Sequence, residues 1–351
     1  MARIRAIVVA FAASASVALL LASTLAIADG SDADGDGVPD GLEAATERTV
    51  AATASGDEFN ISSRLDSGRL DDQFEVSYKA GTFQVSYDQT GGGDSSYELE
   101  LRNLVEWVDT NGDGRIDGGD QIVASTILGG DAFGNVPILR SNTSNADGGR
   151  VNNFVIRSNA GEVTLNVTIA QRFMRLSPVR VLTPMEVKID ITINHVFAHP
   201  GASVGIEMRM DTEGAVQSGN RSWDALNGFA KDEGSLSVTE GSSDRSATVF
   251  FSWANVAVAD GREIPVALTS VAVGSHSSDL YLAYPMAPQN RVKIVHDPSL
   301  GVESGVYRDI LGQTPELQGD IGLYAGTLSV MAVLVAITIV FANRRHKKRE
   351  V

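Results

Sequence analysis

Residues 186–197 read EVKIDITINHVF. Val187, Ile189, Ile191 and Ile193 fall on alternate positions, with Lys188, Asp190, Thr192 and Asn194 between them. A period of two sends the first set to one face of an extended chain and the second set to the other. The stretch therefore predicts a strand with one buried and one wet face. The same reading extends outward in both directions. QFEVSYKAGTFQVSYD sets Phe74, Val76 and Tyr78 against Phe83, Val85 and Tyr87 around Lys79-Ala80-Gly81-Thr82, which predicts a hairpin. SYELELRNLVEWV places Tyr97, Leu99 and Leu101 on one face, and EVTLNVTIA does the same for Val163, Leu165, Val167 and Ile169. SVGIEMRMD, SATVFFSWA, IPVALTSVAV, DLYLAYP and RVKIVHD continue the pattern, separated by turns rich in glycine and asparagine.

A mainly β chain with strands from about residue 70 to 297 predicts a β-sandwich. The span assigned to it, 61–318, is large for one simple sandwich. One elaborated sandwich and two packed sandwiches are both open, with a subdivision near AHPGA at 198–202. Ahead of it, 29–60 reads as an acidic loop and a short helix over 41–54.

The ends have a different character. MARIRAIVVAFAASASVALLLASTLAIADG carries Arg3 and Arg5 before an apolar run that closes in Ala26-Ile27-Ala28. This is the pattern of a secretory signal over 1–28, cleaved after Ala28. The run is long, so an uncleaved signal anchor is its rival. IGLYAGTLSVMAVLVAITIVF at 321–341 has no charge and is long enough to cross a bilayer. A transmembrane helix over 321–342 is followed by a basic tail, 343–351, of the kind held on the cytoplasmic side. The expected topology is type I, single-pass, with the ectodomain outside the cell. Gly322 and Gly326 form a GxxxG that would suit a dimer, or are simply small residues in a membrane helix.

The chain has no cysteine, which excludes disulfides, thiolate metal sites and cysteine nucleophiles. Its net charge is -16. Residues 1–28 contribute +2 and 343–351 contribute +4, so the span between them carries -22. Such a surface repels nucleic acid and suits divalent cations or basic partners.

Two stretches answer that charge. DTNGDGRIDGGD at 109–120 and DADGDGVPDGLE at 32–43 each pack oxygen ligands around glycines. A calcium ion takes six to eight oxygens, and a twelve-residue loop supplies them from positions 1, 3, 5, 7, 9 and 12 with glycine at 6. In the second loop Asp109, Asn111 and Asp113 occupy 1, 3 and 5, and Gly114 occupies 6. Arg115 offers its carbonyl at 7, Ile116 is the apolar residue at 8, and Asp117 and Asp120 take 9 and 12. This loop resembles the EF-hand, and more closely its dockerin variety, which often ends in aspartate. Its flanks read as strands, so a β–loop–β insertion is expected rather than a helix pair. In the first loop Asp32, Asp34 and Asp36 take 1, 3 and 5, Val38 takes 7, and Asp40 and Glu43 take 9 and 12. Pro39 at 8 departs from the EF-hand and resembles thrombospondin type 3 repeats, here in one copy without cysteines. Both resemblances imply Ca2+ binding. The plain alternative is turns in an acidic protein.

Other constellations are weaker. His195 and His199, four apart, would share a strand face but lack an HExxH glutamate and are followed by Pro200, so packed or strand-end histidines are expected. His296-Asp297 has no GxSxG nucleophile to serve and reads as local hydrogen bonding. Carboxylate pairs such as Glu98 and Glu100 say nothing of working distance. Sequons at Asn60, Asn142, Asn166 and Asn220 would accept glycans on a secretory route. The expected function is non-enzymatic: a calcium-binding surface protein that binds a protein or glycan ligand, adheres, or builds surface structure. A membrane-tethered hydrolase with structural calcium is the alternative.

Overall fold

The computed structural model describes residues 47–66, 71–89, 94–144, 149–177, 180–221, 233–239 and 248–303. The signal 1–28, the loop 32–43, the span 321–342 with Gly322 and Gly326, and the tail 343–351 lie outside them. Among the described residues no helix is long and apolar enough to cross a membrane.

The chain runs through β1 (Thr49–Ser55), β2 (Glu58–Asp66), β3 (Asp71–Lys79), β4 (Thr82–Gln89), β5 (Ser95–Val108) and β6 (Gln121–Ile127). It then forms β7 (Leu139–Ser144), β8 (Arg150–Arg157), β9 (Val163–Ala170), β10 (Met174–Ser177), β11 (Arg180–Leu182) and β12 (Glu186–Val196). Next come β13 (Ser203–Asp211), β14 (Ala215–Arg221), β15 (Glu233–Thr239), β16 (Thr248–Ala254), β17 (Val256–Ala259) and β18 (Arg262–Pro265). The last are β19 (Ala267–Ala272), β20 (Ser277–Tyr284), β21 (Arg291–His296) and β22 (Ser299–Glu303).

Two large antiparallel sheets result, and β10 and β11 pair as a small third one. The first runs β1-β2-β3-β4-β5-β13-β20-β19, with β6 also on β5. The second runs β14-β15-β16-β22-β12-β21-β17-β18, and β9, β8 and β7 extend it from the other edge of β12. β12 meets β21 and β22 in one unbroken register, Ile191 opposite His296 and Glu186 opposite Gly301. Residues 291–303 thus behave as one long strand broken at Asp297-Pro298. Proline has no N–H for a ladder. Its carbonyl still accepts from Ile189 N at 2.8 Å.

The alternating residues of β12 do what their period requires. Val187, Ile189, Ile191 and Ile193 are buried between the sheets. Phe74, Val76, Phe83 and Val85 of the β3–β4 hairpin in the first sheet are buried as well. Phe59 of β2 stacks on Phe154 of β8 with ring centroids 4.7 Å apart, and Tyr97 donates its hydroxyl to Phe250 O at 2.7 Å. A buried polar knot sits beside them. Arg48 pairs with Asp72 and donates to Ser63 Oγ at 2.9 Å, while Tyr87 donates to Asp72 Oδ2 at 2.9 Å.

Two expectations change. Residues 49–54 of the expected helix 41–54 belong instead to the strand β1, paired with β2 from Thr49↔Arg64 to Ser55↔Glu58. Alanine favours helix locally, but an edge to pair with overrides so weak a preference. The sandwich therefore begins near residue 49, not 61. Residues 198–202 do not divide two sandwiches. They are the turn where the chain leaves β12 in one sheet and enters β13 in the other. All the described residues fall within one compact unit.

Candidate metal centre and the face beneath it

The loop 109–120 closes the hairpin between β5 and β6, with Val108 opposite Gln121. This is the strand–loop–strand arrangement expected from its flanks. Its carboxylates are aimed by backbone N–H groups. Gly112 N and Gly114 N donate to the two oxygens of Asp109 at 2.7 and 3.0 Å. Asp113 Oδ1 accepts from Arg115 N at 2.8 Å, and Asp120 Oδ1 accepts from Thr110 N at 2.9 Å. Gly112 and Gly114 hold φ of +79° and +74°, conformations that side chains resist.

Asp109, Asp113 and Asp120 each bring a carboxylate oxygen within 4.8 Å of the others, a set able to hold a metal ion. Like charges this close repel, and a cation among them would relieve that repulsion. Asn111 belongs to the same knot, since its Nδ2 donates to Asp113 Oδ2 at 3.1 Å. Asp117 turns to a neighbour instead, accepting from Gly119 N at 2.7 Å. Arg115 is exposed. The six residues Asp32, Asp34, Asp36, Val38, Asp40 and Glu43 lie outside the described residues.

The loop does not stand free. A bulge in β5 at Arg102 shifts the pairing with β13 between Met208↔Leu101 and Glu207↔Asn103. One extra residue reverses which side chains face the core. Beyond it Val105 and Trp107 turn to the outer face of the first sheet, where Ile116 and Ala283 join them. Glu106 turns inward. It accepts from His195 Nε2 at 2.9 Å, Ala198 N at 2.7 Å and His199 N at 2.9 Å. Glu162 stands 3.1 Å from His195 Nδ1 on the other side. Burial alone would raise the pKa of Glu106, but the Ala198 amide, the His195 ring and the His199 amide outweigh it and hold the carboxyl below the usual glutamate range. The two histidines of HVFAH therefore converge, but on a buried carboxylate that no sequence motif marks.

His296 is also buried. Its Nε2 donates to Ala254 O at 2.8 Å, so its Nδ1 accepts the Tyr284 hydroxyl at 3.0 Å. This is the local hydrogen bonding expected, and burial holds the Tyr284 phenol well above the usual range.

A second concave feature lies on the outer face of the first sheet. Asn60, Ser77, Gln84, Glu98 and Asp211 form one row across β2, β3, β4, β5 and β13. They line a groove of about 770 Å³ with Glu213 and His276 at its rim. Asn60, Asn142 and Asn220 are exposed, and Asn166 is half-buried in β9.

No family model matches the chain, and no curated protein matches it. Among solved structures, a Klebsiella pneumoniae protein provisionally assigned as an aldose 1-epimerase is 10% identical, over 78% of this chain and 96% of that one, with a TM-score of 0.25. A chain of the ER glucosidase II heterodimeric complex, which consists of the catalytic subunit and the binding domain of the regulatory subunit, is 7% identical, over 74% of this chain and 33% of that one, with a TM-score of 0.18. Likeness this slight says nothing of what this chain binds or does.

Proposed function

We propose that this chain is a calcium-binding, single-pass membrane-anchored extracellular β-sandwich protein with a binding, adhesion or surface-structural role. The observation that carries the calcium reading is the convergence of Asp109, Asp113 and Asp120 within 4.8 Å on a twelve-residue loop. The donor set is all oxygen, which suits a hard cation rather than zinc or copper. A loop offering several carboxylates and a carbonyl suits Ca2+, which takes six to eight oxygens, over the smaller Mg2+, which holds its waters and demands octahedral geometry. Extracellular calcium modules bind on the order of 10⁻⁴–10⁻³ M, so the ion would be a resident structural part outside the cell. The apolar run at 321–341 supports the anchor. The groove across the first sheet, with Asn60, Ser77, Gln84, Glu98 and Asp211 along it, would offer a surface for a ligand.

Calcium titration by calorimetry, with melting curves in calcium and in chelator, tests this reading. Saturable binding and a higher melting temperature in calcium are expected. Asp109→Ala with Asp113→Ala should abolish the calcium-dependent rise at the second loop. If the melting temperature of the wild type ignores calcium, the structural-ion reading fails.

The hydrolase alternative has one observation in its favour. His276 Nδ1 stands 3.4 Å from Glu213 at the rim of the acidic groove. Turnover of glycan or ester substrates that is lost in Glu213→Gln would support it.

A further inference from the structure

We propose that Ile116 and Gly205 set the affinity of the loop for its ion, although neither supplies a ligand. The inference rests on the calcium reading above. Ile116 is the apolar residue at position 8 of the loop, and it is 2% exposed. It seats on three adjacent strands, against Val105 and Trp107 of β5 and Ala283 of β20, with Gly205 of β13 beneath. A Cβ at 205 would stand 2.4 Å from Ile116 Cδ1, closer than real atoms approach. The missing side chain at 205 is what gives the isoleucine its notch. The floor of the notch is itself fixed, since Trp107 Nε1 donates to Val204 O at 3.2 Å. Gly114 rests nearby, where a Cβ would meet Pro285 Cγ at an ordinary 3.5 Å.

The consequence follows from position in the chain. Ile116 lies three residues after Asp113 and four before Asp120, so anchoring it fixes the span that joins two of the three carboxylates. A loop already held in its binding shape loses less freedom when the ion arrives. With the plug removed, mutual repulsion of the three carboxylates opens the loop, and the ion must reorder it. Ile116 and Gly205 are positioning residues, and the ion and the sheet are coupled through them.

The test is calcium titration of the full chain as wild type, Ile116→Ala, Gly205→Ala, Ile116→Val, and the Ile116→Ala/Gly205→Ala pair. Each alanine change alone should weaken calcium binding by about ten-fold, while Ile116→Val keeps most of the affinity. The pair should bind no worse than the weaker single change, because shortening 116 removes the closest contact of a methyl at 205 and leaves only the tight but smaller approaches to Leu282 O at 3.2 Å and Val105 Cγ2 at 3.3 Å. Melting curves in chelator and in calcium separate this role from plain packing. The calcium-dependent rise should shrink in the single variants. Should Gly205→Ala fail to fold, Ile116→Ala carries the test alone. Wild-type affinity in Ile116→Ala, or losses that simply add in the pair, would overturn the inference while Asp113→Ala still removed the binding that belongs to the 109–120 loop and left the calcium reading standing. No saturable binding by the wild type would remove both.

Discussion

Glu106 shows how one side chain can tie separate parts of the chain together. It leaves β5 in the first sheet, meets His195 of β12 in the second, and caps the amides of Ala198 and His199 in the turn between the sheets. Its side chain is 3% exposed, so these contacts are little screened. The folded state binds the Glu106 proton less tightly than the unfolded chain does. Its contribution is therefore present above the ordinary glutamate pKa of about 4.3 and is lost as pH falls through the lower folded value. Glu106→Gln should cost about 2–4 kcal/mol near neutral pH, because an amide puts N–H groups against N–H donors. Below about pH 4 the gap between variant and wild type should narrow. Denaturant unfolding across that pH range measures both effects. An acid slope as steep in the variant as in the wild type would show that Glu106 is not its source.

At the scale of elements, the β3–β4 hairpin is the clearest case of local chemistry fixing structure. Lys79 pairs with Thr82, and the two residues between them, Ala80 and Gly81, have φ of +48° and +95°. Positive φ at both central positions is the type I′ requirement, and it favours Asn-Gly over Ala-Gly. Ala80→Asn should therefore stabilise the protein by about 0.5–1 kcal/mol. Gly81→Ala should cost about 1–2 kcal/mol. At Gly81 a Cβ would also stand 3.2 Å from Leu128 O. Melting temperatures of the two variants should move in opposite directions. The same scale explains how the acidic loop 109–120 is presented. The strand pair β5–β6 holds its ends in register, and Ile116 pins its middle to the outer face.

At the scale of the whole molecule, each sheet is assembled from distant parts of the chain. The first joins β1–β6 to β13, β19 and β20, and the second threads β12 between β9 and β21. Neither half of the chain has a sheet of its own, so the described body should unfold as one cooperative unit. Phe154→Ala removes the ring that stacks on Phe59 across the interface and should cost about 3–5 kcal/mol. Unfolding followed by tryptophan fluorescence and by far-ultraviolet circular dichroism should give coincident transitions in both wild type and variant. Separate transitions would mean that the sheets can part.

The sequence by itself determined the strand of EVKIDITINHVF, the β3–β4 hairpin, the sandwich class and the strand–loop–strand setting of the acidic loop 109–120. Each follows from a period or spacing a few residues long, which the chain carries whatever its partners. Only the tertiary structure decided that 49–55 is a strand, that 198–202 is a crossing between sheets, and that Glu106 meets His195. These depend on which edge is free to pair and on where a register slips. The bulge at Arg102 makes the difference plain. Tyr97, Leu99 and Leu101 keep the period read from the sequence. One unpaired residue, specified by the match of β5 to β13, then reverses the faces. That reversal buries Glu106 and turns Trp107 outward to form the seat of Ile116.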